Sequence, residues 1–399
     1  MSPVKHPRSL TSMPIAIAVA GLLALAVAMG IGRFAFTPIL PMMIEDAGLS
    51  IADGGFLASA NYVGYLLGAL TAMAVRVRHE TAIRTGLIAI AVTTLAMGLH
   101  LPLAIWLLMR ALAGIASAWV LISVSAWSLE TLARYQRPLL TSIVFAGVGA
   151  GIAIAGLLCL MLMHSGAGSS KAWMALGLFS VAATVAIWRF FPHSGTAGMR
   201  KPGSRAAYRW SADAIRLVVC YGIFGFGYII PATFLPVMAK KALADTALFG
   251  WSWPVFGLAA ALSTLAAAML IRRVGNRRLW IASHFIMAAG VALPAVWPHI
   301  AAIFLAALLV GGTFMVVTLV AMQEARHVAG NAATGLIAAM TASFAAGQIA
   351  GPLLVAYAFQ GESGFSHALL VASLLLAASA VALGIRDKNA QPAVYGEHH

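Results

Sequence analysis

The sequence predicts an all-α polytopic membrane protein of 12 transmembrane helices, arranged as two pseudo-symmetric six-helix halves. Three observations predict it. Hydrophobic residues make up 62% of the 399, charged residues only 9%, and the mean hydropathy is +0.94, whereas a soluble domain carries about 25% charged residues. The apolar residues gather in runs long enough to cross a hydrocarbon core, which takes roughly 20 residues of helix. Basic residues between those runs are shared very unevenly between the two sides.

Taken in order, the runs are 14–43, 54–75, 83–101, 103–128, 139–163, 172–191, 212–238, 249–271, 279–297, 300–322, 332–358 and 365–385. His100 and Pro102 alone separate the third from the fourth; Pro298 and His299 alone separate the ninth from the tenth. With the N-terminus inside, 20 of the 25 basic residues face the cytoplasm, while only Lys171, Lys240 and Lys241 face outward. The positive-inside rule predicts such a bias, and an error of one span would scramble it. Both termini are therefore expected in the cytoplasm of a bacterial inner membrane. The net charge of +14 reports this orientation rather than a nucleic-acid partner. A rival reading makes the first run a cleaved signal peptide, with Lys5 and Arg8 before it and Ala26, Val27 and Ala28 as the cleavage box. That cut would behead the repeat described next. Cys159 and Cys220 lie inside apolar runs at no metal or redox spacing and read as small buried hydrophobes.

The halves repeat. Gly30 and Gly32 are matched by Gly225 and Gly227, and Leu40-Pro41 by Leu235-Pro236, all at an offset of 195. Gly55 and Gly250 keep the same offset, and Gly147 and Gly151 of the fifth span answer Gly347 and Gly351 of the eleventh. Small residues at such spacing let helix backbones approach closely. The Gly-, Ser- and Pro-containing stretch 192–211 reads as a cytoplasmic linker between an N-terminal half, 1–191, and a C-terminal half, 212–399. Parallel repeats of this kind are the organisation of transporters whose halves rock about a central site.

Residues 29–43, with Asn61, Tyr62, Gly64 and Tyr65, resemble the YbfB/YjiJ-type branch of the major facilitator superfamily. The resemblance covers nearly the whole chain. Arg272, Arg273, Gly275 and Arg277 are similar to the superfamily's Asp-Arg-x-Gly-Arg-Arg gating loop, with arginine where the aspartate belongs. Arg110 and Gly114 match its fourth-helix Arg-x-x-x-Gly motif, and Glu130 with Arg137 its Glu-x6-Arg motif. Gly347, Gly351 and Pro352 resemble the Gly-x-x-x-Gly-Pro antiporter motif, but in the eleventh span; the fifth has Ile152 where the proline would stand. The resemblance implies alternating access to a cavity lined by the first and fourth helices, among others.

Chemistry is expected first at Arg33 and Arg110. An arginine near the middle of a span costs about 2.5–3.5 kcal/mol on insertion scales, so it needs a partner. Both lie about 10–12 Å from the same surface at 1.5 Å per residue. They could clamp an anion, because the guanidinium fork binds carboxylate or phosphate bidentately. Equally, they could tie down carbonyls freed by Pro38, Pro41 and the glycines. Tyr228 occupies the repeat position of Arg33, so the second half offers an aromatic wall with Phe224 and Phe226 instead of a cation. Asn61, Tyr62, Tyr65 and Gln348 are uncharged polar groups in apolar runs, available to substrate or to neighbouring helices. Glu130 and Glu324 end the fourth and tenth helices on the inner side and read as gate charges for the arginine loops, Arg272, Arg273 and Arg277 among them. Acidic residues do not occur deep in a span, so any proton coupling would run through Glu130, Glu324 or the substrate itself.

The sequence holds no Gly-x-Ser-x-Gly, His-Glu-x-x-His or Gly-x4-Gly-Lys-Ser/Thr motif, which argues against hydrolase chemistry and ATP-driven transport. No cofactor or metal is expected. The leading reading is a monomeric secondary transporter of a small organic anion. Multidrug or toxicant efflux is the alternative, and a membrane sensor or embedded enzyme the reading from another class.

Overall fold

The computed structural model describes residues 12–75, 77–133, 135, 138–191, 210–242, 250–330, 333–357 and 364–385. The first pass is continuous: α1 (Ser12–Leu25) runs into a π-helical segment (Ala26–Phe34), and α2 (Phe36–Asp46) completes it. The next five passes are α3 (Ile51–Ala74), α4 (His79–Met97), α5 (Leu103–Ala133), α6 (Pro138–His164) and α7 (Ser169–Ile187). The second six are α8 (Ala212–Ala242), α9 (Ser252–Val274), α10 (Asn276–Val296), α11 (Ile300–Ala329), α12 (Ala333–Tyr357) and α13 (Gly364–Gly384). Each coincides with a span read from the sequence, including both hairpins divided only by His and Pro. The linker stretch 192–211 falls outside the described residues, apart from Trp210 and Ser211.

Ten of these helices are long and apolar enough to cross a membrane. Of the others, α9 contributes a shorter apolar stretch, Ser252–Ala267. The 24 residues of α3 would reach about 36 Å, but Asp53, Asn61 and its glycines and tyrosines dilute its hydropathy. Sequence chemistry also sets the ends. Ser50 and Asp53 form a reciprocal capping box at the start of α3. Asp46, at the end of α2, accepts hydrogen bonds from the Ser169 amide and hydroxyl and so caps α7. Gly275, at φ +84°, makes the turn from α9 to α10 that a residue with a Cβ would enter only under strain.

The packing is the same in both halves. The first pass lies on α6 as α8 lies on α12; α3 on α5 as α9 on α11; α4 on α5 and α7 as α10 on α11 and α13. Between halves, α3 pairs with α12 and α6 with α9, contacts that a two-fold operation exchanges, while α2 meets α8. Thr37 donates to the carbonyl of Ala232 at 2.7 Å, and these two positions are 195 apart, the repeat offset itself. Only residues close to the pseudo-two-fold axis can touch their own repeat mate, so the axis passes here.

Glycines set the closest approaches. A Cβ on Gly151 would stand 2.4 Å from the Ala26 carbonyl, and one on Gly347 2.2 Å from the Gly222 carbonyl. The repeated glycine pairs therefore hold the first helix of each half against the fifth. Across the halves a different pair acts: a Cβ on Gly149 would lie 2.3 Å from the Ala261 nitrogen, and one on Gly257 2.7 Å from the Gly149 carbonyl. With little hydrophobic drive between helices in lipid, such backbone proximity is a main source of association.

Candidate functional site

The site grows from the π-helical segment. Pro38 has no N–H to give the carbonyl of Arg33, five residues back and thus its partner in a π register. Arg110, reaching across from α5, supplies the missing donors: Nη2 to the Arg33 carbonyl at 3.0 Å and Nη1 to the Gly32 carbonyl at 3.4 Å. Its guanidinium also lies 4.9 Å from the Phe36 ring centre. Asn61 adds Nδ2 bonds to the Gly32 carbonyl at 3.2 Å and the Arg110 carbonyl at 2.9 Å. Gly114 makes room, since a Cβ there would sit 2.1 Å from the Asn61 carbonyl. Gly32 is closed in by the Ser117 hydroxyl, Gly30 by Gly151, Gly225 by the Phe344 carbonyl and Gly227 by the Leu376 side chain. Neither Pro38 nor Pro41 interrupts the pass, which stays helical by widening; Pro231 and Pro236 are likewise accommodated within α8, and Pro352 within α12.

Arg33 is placed differently. It is 2% exposed, and its Nη2 donates to Gln348 Oε1 on α12 at 2.9 Å. Gln348 in turn donates to the Tyr228 hydroxyl on α8, so a cation of the first half, an amide and a phenol of the second form one chain. The guanidinium sits 3.9 Å from the Tyr65 ring centre, 5.3 Å from that of Tyr62 and 5.5 Å from that of Phe34. Such contacts stabilise a desolvated cation by about 2 kcal/mol. No ion pair to Arg33 occurs among the described residues, and its Nε has no hydrogen-bond partner. A buried donor left unpaired costs about 1–3 kcal/mol. Tyr62 also crosses between halves, its hydroxyl 3.3 Å from that of Thr233.

An aromatic wall faces this group. Tyr228 lies nearly parallel to Phe314 (5.6 Å, 6°) and to Phe344 (5.7 Å, 10°), and stacks on Phe224. Phe314 continues to Phe256 and Phe34, and these to Trp253. Trp253 is fully buried, and its indole N–H is unpartnered. Arg33, Tyr62, Tyr65, Gln348 and Tyr228 are brought around one another, with Arg110 and Asn61 immediately behind them, whereas Phe226, expected in the wall beside Phe224, is only half-buried.

The chain matches the family described as "uncharacterised MFS-type transporter YbfB" over residues 25–384. It belongs to that family. This MFS transporter is a multi-pass membrane protein that moves a small molecule, and not an enzyme. No curated protein sequence matches it. Among solved structures it is similar to the nucleoside transporter NupG: TM-score 0.69 at 13% identity, covering 94% of this chain and 100% of NupG. An alanine mutant of NupG gives 0.71 at 12%, covering 92% and 99%. At that identity the likeness shows the fold, which is that of the major facilitator superfamily.

At the far ends of the passes, the arginines around the α9–α10 turn separate into two kinds. Arg272 and Arg273 are exposed in the last turn of α9. Arg277 instead bonds both oxygens of Asp213 at 2.7 and 2.8 Å, and lies 3.5 Å from Glu324. Asp213, in the first turn of α8, thus supplies the carboxylate that the loop itself lacks. Arg216 shares that carboxylate at 2.8 Å and donates to the Ile385 carbonyl, tying α8 to α13. The Glu130 side chain and Arg137 lie outside the described residues.

Sequence reasoning missed Asp213, Trp253, Phe256, Phe314 and Thr37. An aspartate one residue into a span end reads as a solvated cap, and single aromatics in apolar runs read as core. Only the repeat offset linking Thr37 to Ala232 offered a signal, and it needed the fold to interpret it.

Proposed function

We propose that this MFS transporter carries small organic anions, with Arg33 as the anion receptor and Tyr62, Tyr65, Tyr228 and Gln348 as its surround. The observation that carries this reading is the state of Arg33: a buried guanidinium held by a neutral amide, with one N–H unpartnered. A carboxylate would compete well with that amide, since charge-assisted hydrogen bonds are roughly twice as strong as neutral ones. Arg110 takes the other role weighed from the sequence. Its Nε is unpartnered like that of Arg33, but both its terminal nitrogens serve backbone carbonyls, so it holds the π-helical segment in shape and Arg33 in place.

Alternating access follows from the two halves, residues 1–191 and 212–399, joined through the linker 192–211. The bonds Arg33–Gln348, Thr37–Ala232, Ser59–Ile349 and Tyr62–Thr233 cross between halves at the site or beyond it, toward the loops that follow α2 and α12. With the basic loops cytoplasmic in a bacterial inner membrane, that is the outer side, and the described state is closed outward. An arriving anion that draws Arg33 away from Gln348 would weaken one of these bonds, coupling occupancy to rocking. Arg277, Glu324 and Asp213 anchor the inner ends of the second half; Glu130, Arg137, Arg272 and Arg273 complete the inner gate. Any coupling proton uses Glu130, Glu324 or the substrate. The protein works as a monomer, since the site lies between halves of one chain.

A thermal-shift screen of purified protein against carboxylates, nucleosides and cationic drugs tests the reading. Ligands of the native state raise apparent stability by mass action. Carboxylates should stabilise the wild type and lose that effect in Arg33→Gln. Stabilisation by cationic drugs alone would point to efflux of toxicants instead.

A further inference from the structure

Three buried N–H groups near the site have no partner, Arg33 Nε, Arg110 Nε and Trp253 Nε1. Arg33 and Trp253 flank the same ring. Phe34 lies 5.5 Å from the Arg33 guanidinium carbon and 6.5 Å from the Trp253 ring centre. The guanidinium carbon and the indole ring centre are therefore no more than about 12 Å apart, a span that a disubstituted benzene ring with a polar group at each end can cover. Both N–H groups are donors only, so each asks for an acceptor on the cargo. Trp253 is fully buried, stacked on Phe256 at 4.8 Å and 17°, and Phe256 stacks on Phe314, which lies parallel to Tyr228. The path from one donor to the other thus runs along aromatic faces, which favour a flat ring over a flexible aliphatic chain. The second half of the site, which lacks a cation at the repeat position of Arg33, supplies this other donor from the first turn of α9.

We infer that the cargo is a flat aromatic monoacid with a second hydrogen-bond acceptor at its far end, the carboxylate bound by Arg33 and the far acceptor bound by the Trp253 indole N–H. The inference rests on the anion reading of Arg33 and adds to it a shape, a length and a second polar contact. A dianion is disfavoured, because both terminal nitrogens of Arg110 serve carbonyls and a neutral indole cannot balance a second charge. Trp253 is then a residue that sets specificity, and its removal should alter which acids bind rather than whether acids bind.

The experiment measures dissociation constants of 4-acetylbenzoate, its near-isostere 4-isopropylbenzoate and the neutral 4-acetylbenzamide. The proteins are the wild type in detergent, Arg33→Gln, and Trp253→Phe, which keeps a ring but removes the N–H. Wild type should bind 4-acetylbenzoate about tenfold more tightly than 4-isopropylbenzoate, the worth of one buried hydrogen bond. Trp253→Phe should abolish that ratio while holding 4-isopropylbenzoate within about twofold, and its unliganded melting temperature shows whether it is folded. A second replacement, Trp253→His, restores a ring N–H and should restore part of the preference. An unchanged ratio in folded Trp253→Phe overturns the role of Trp253 and leaves the anion reading standing. The amide binding as tightly as the acid, with a ratio that still depends on Trp253, overturns the anion reading alone. Absence of binding by all three probes overturns both.

Discussion

Arg33 and Arg110 lie at similar depth and carry the same charge, yet their surroundings give them different work. Arg110 spends its terminal nitrogens on the carbonyls of Gly32 and Arg33, where Pro38 leaves the helix short of a donor. Arg110→Gln should therefore cost stability, about 2 kcal/mol or more for two charge-assisted bonds and the Arg33 carbonyl left unpaired, seen as a fall in melting temperature without ligand. Its effect on anion affinity should follow from the loosened π-helical segment and be partly rescued by Arg110→Lys, which keeps the charge on a single donor nitrogen. Arg33→Gln should do the reverse, since relief of an unpaired, desolvated cation compensates for the bond to Gln348. A melting temperature equal to or above wild type, with lost binding, would mark Arg33 as a functional residue. The sequence showed both arginines but could not divide these roles, because the division depends on which carbonyl Pro38 abandons and on where Gln348, 315 residues away, comes to rest.

At the scale of elements, glycines do most of the fitting, and their two classes should respond differently to substitution. Gly151 and Gly347 hold helices within a half, so a Leu at either should unfold or mispack that half. Gly149 and Gly257 stand where α6 crosses α9, between the two halves. Gly149→Leu is expected to leave a folded protein whose halves no longer close over the site; counterflow in proteoliposomes should stop while cysteines placed near Phe56, beside the loops that follow α2 and α12, become more reactive to a water-soluble thiol reagent. The repeat made the first class legible in sequence through Gly147, Gly151, Gly347 and Gly351. The second class carries no motif, since Gly149 and Gly257 look like any other small residue in an apolar run. The Asp213–Arg277 pair shows the same limit. The α9–α10 turn lacks the aspartate of the motif it resembles, and the carboxylate comes from another helix, so proximity in the fold had to reveal it. Asp213→Asn should release Arg277 and Arg216 together and lower stability by about 1.5–3 kcal/mol, read by thermal unfolding at moderate salt.

For the whole molecule, all twelve passes were legible, because each needs its own apolar run. The pairing of α3 with α12 and of α6 with α9 was not, since apolar surfaces in lipid carry little pattern to say which helix they meet. That pairing has a direct consequence. Ser59 and Ile349 lie on facing passes, the Ser59 hydroxyl 3.3 Å from the Ile349 carbonyl. A Ser59→Cys, Ile349→Cys double variant should cross-link on oxidation, stop counterflow and recover with reductant; cross-linked protein that still transports would mean the halves do not part here. The central claim, however, is that a single buried arginine at the meeting of the halves receives the cargo's negative charge. The most direct test is the affinity of an anionic ligand found by screening, titrated against wild type, Arg33→Lys and Arg33→Gln in one detergent. The account predicts that Arg33→Gln binds at least about a hundredfold more weakly, the loss of a buried charge-assisted pair, with Arg33→Lys between the two. Equal affinity in all three proteins would contradict it.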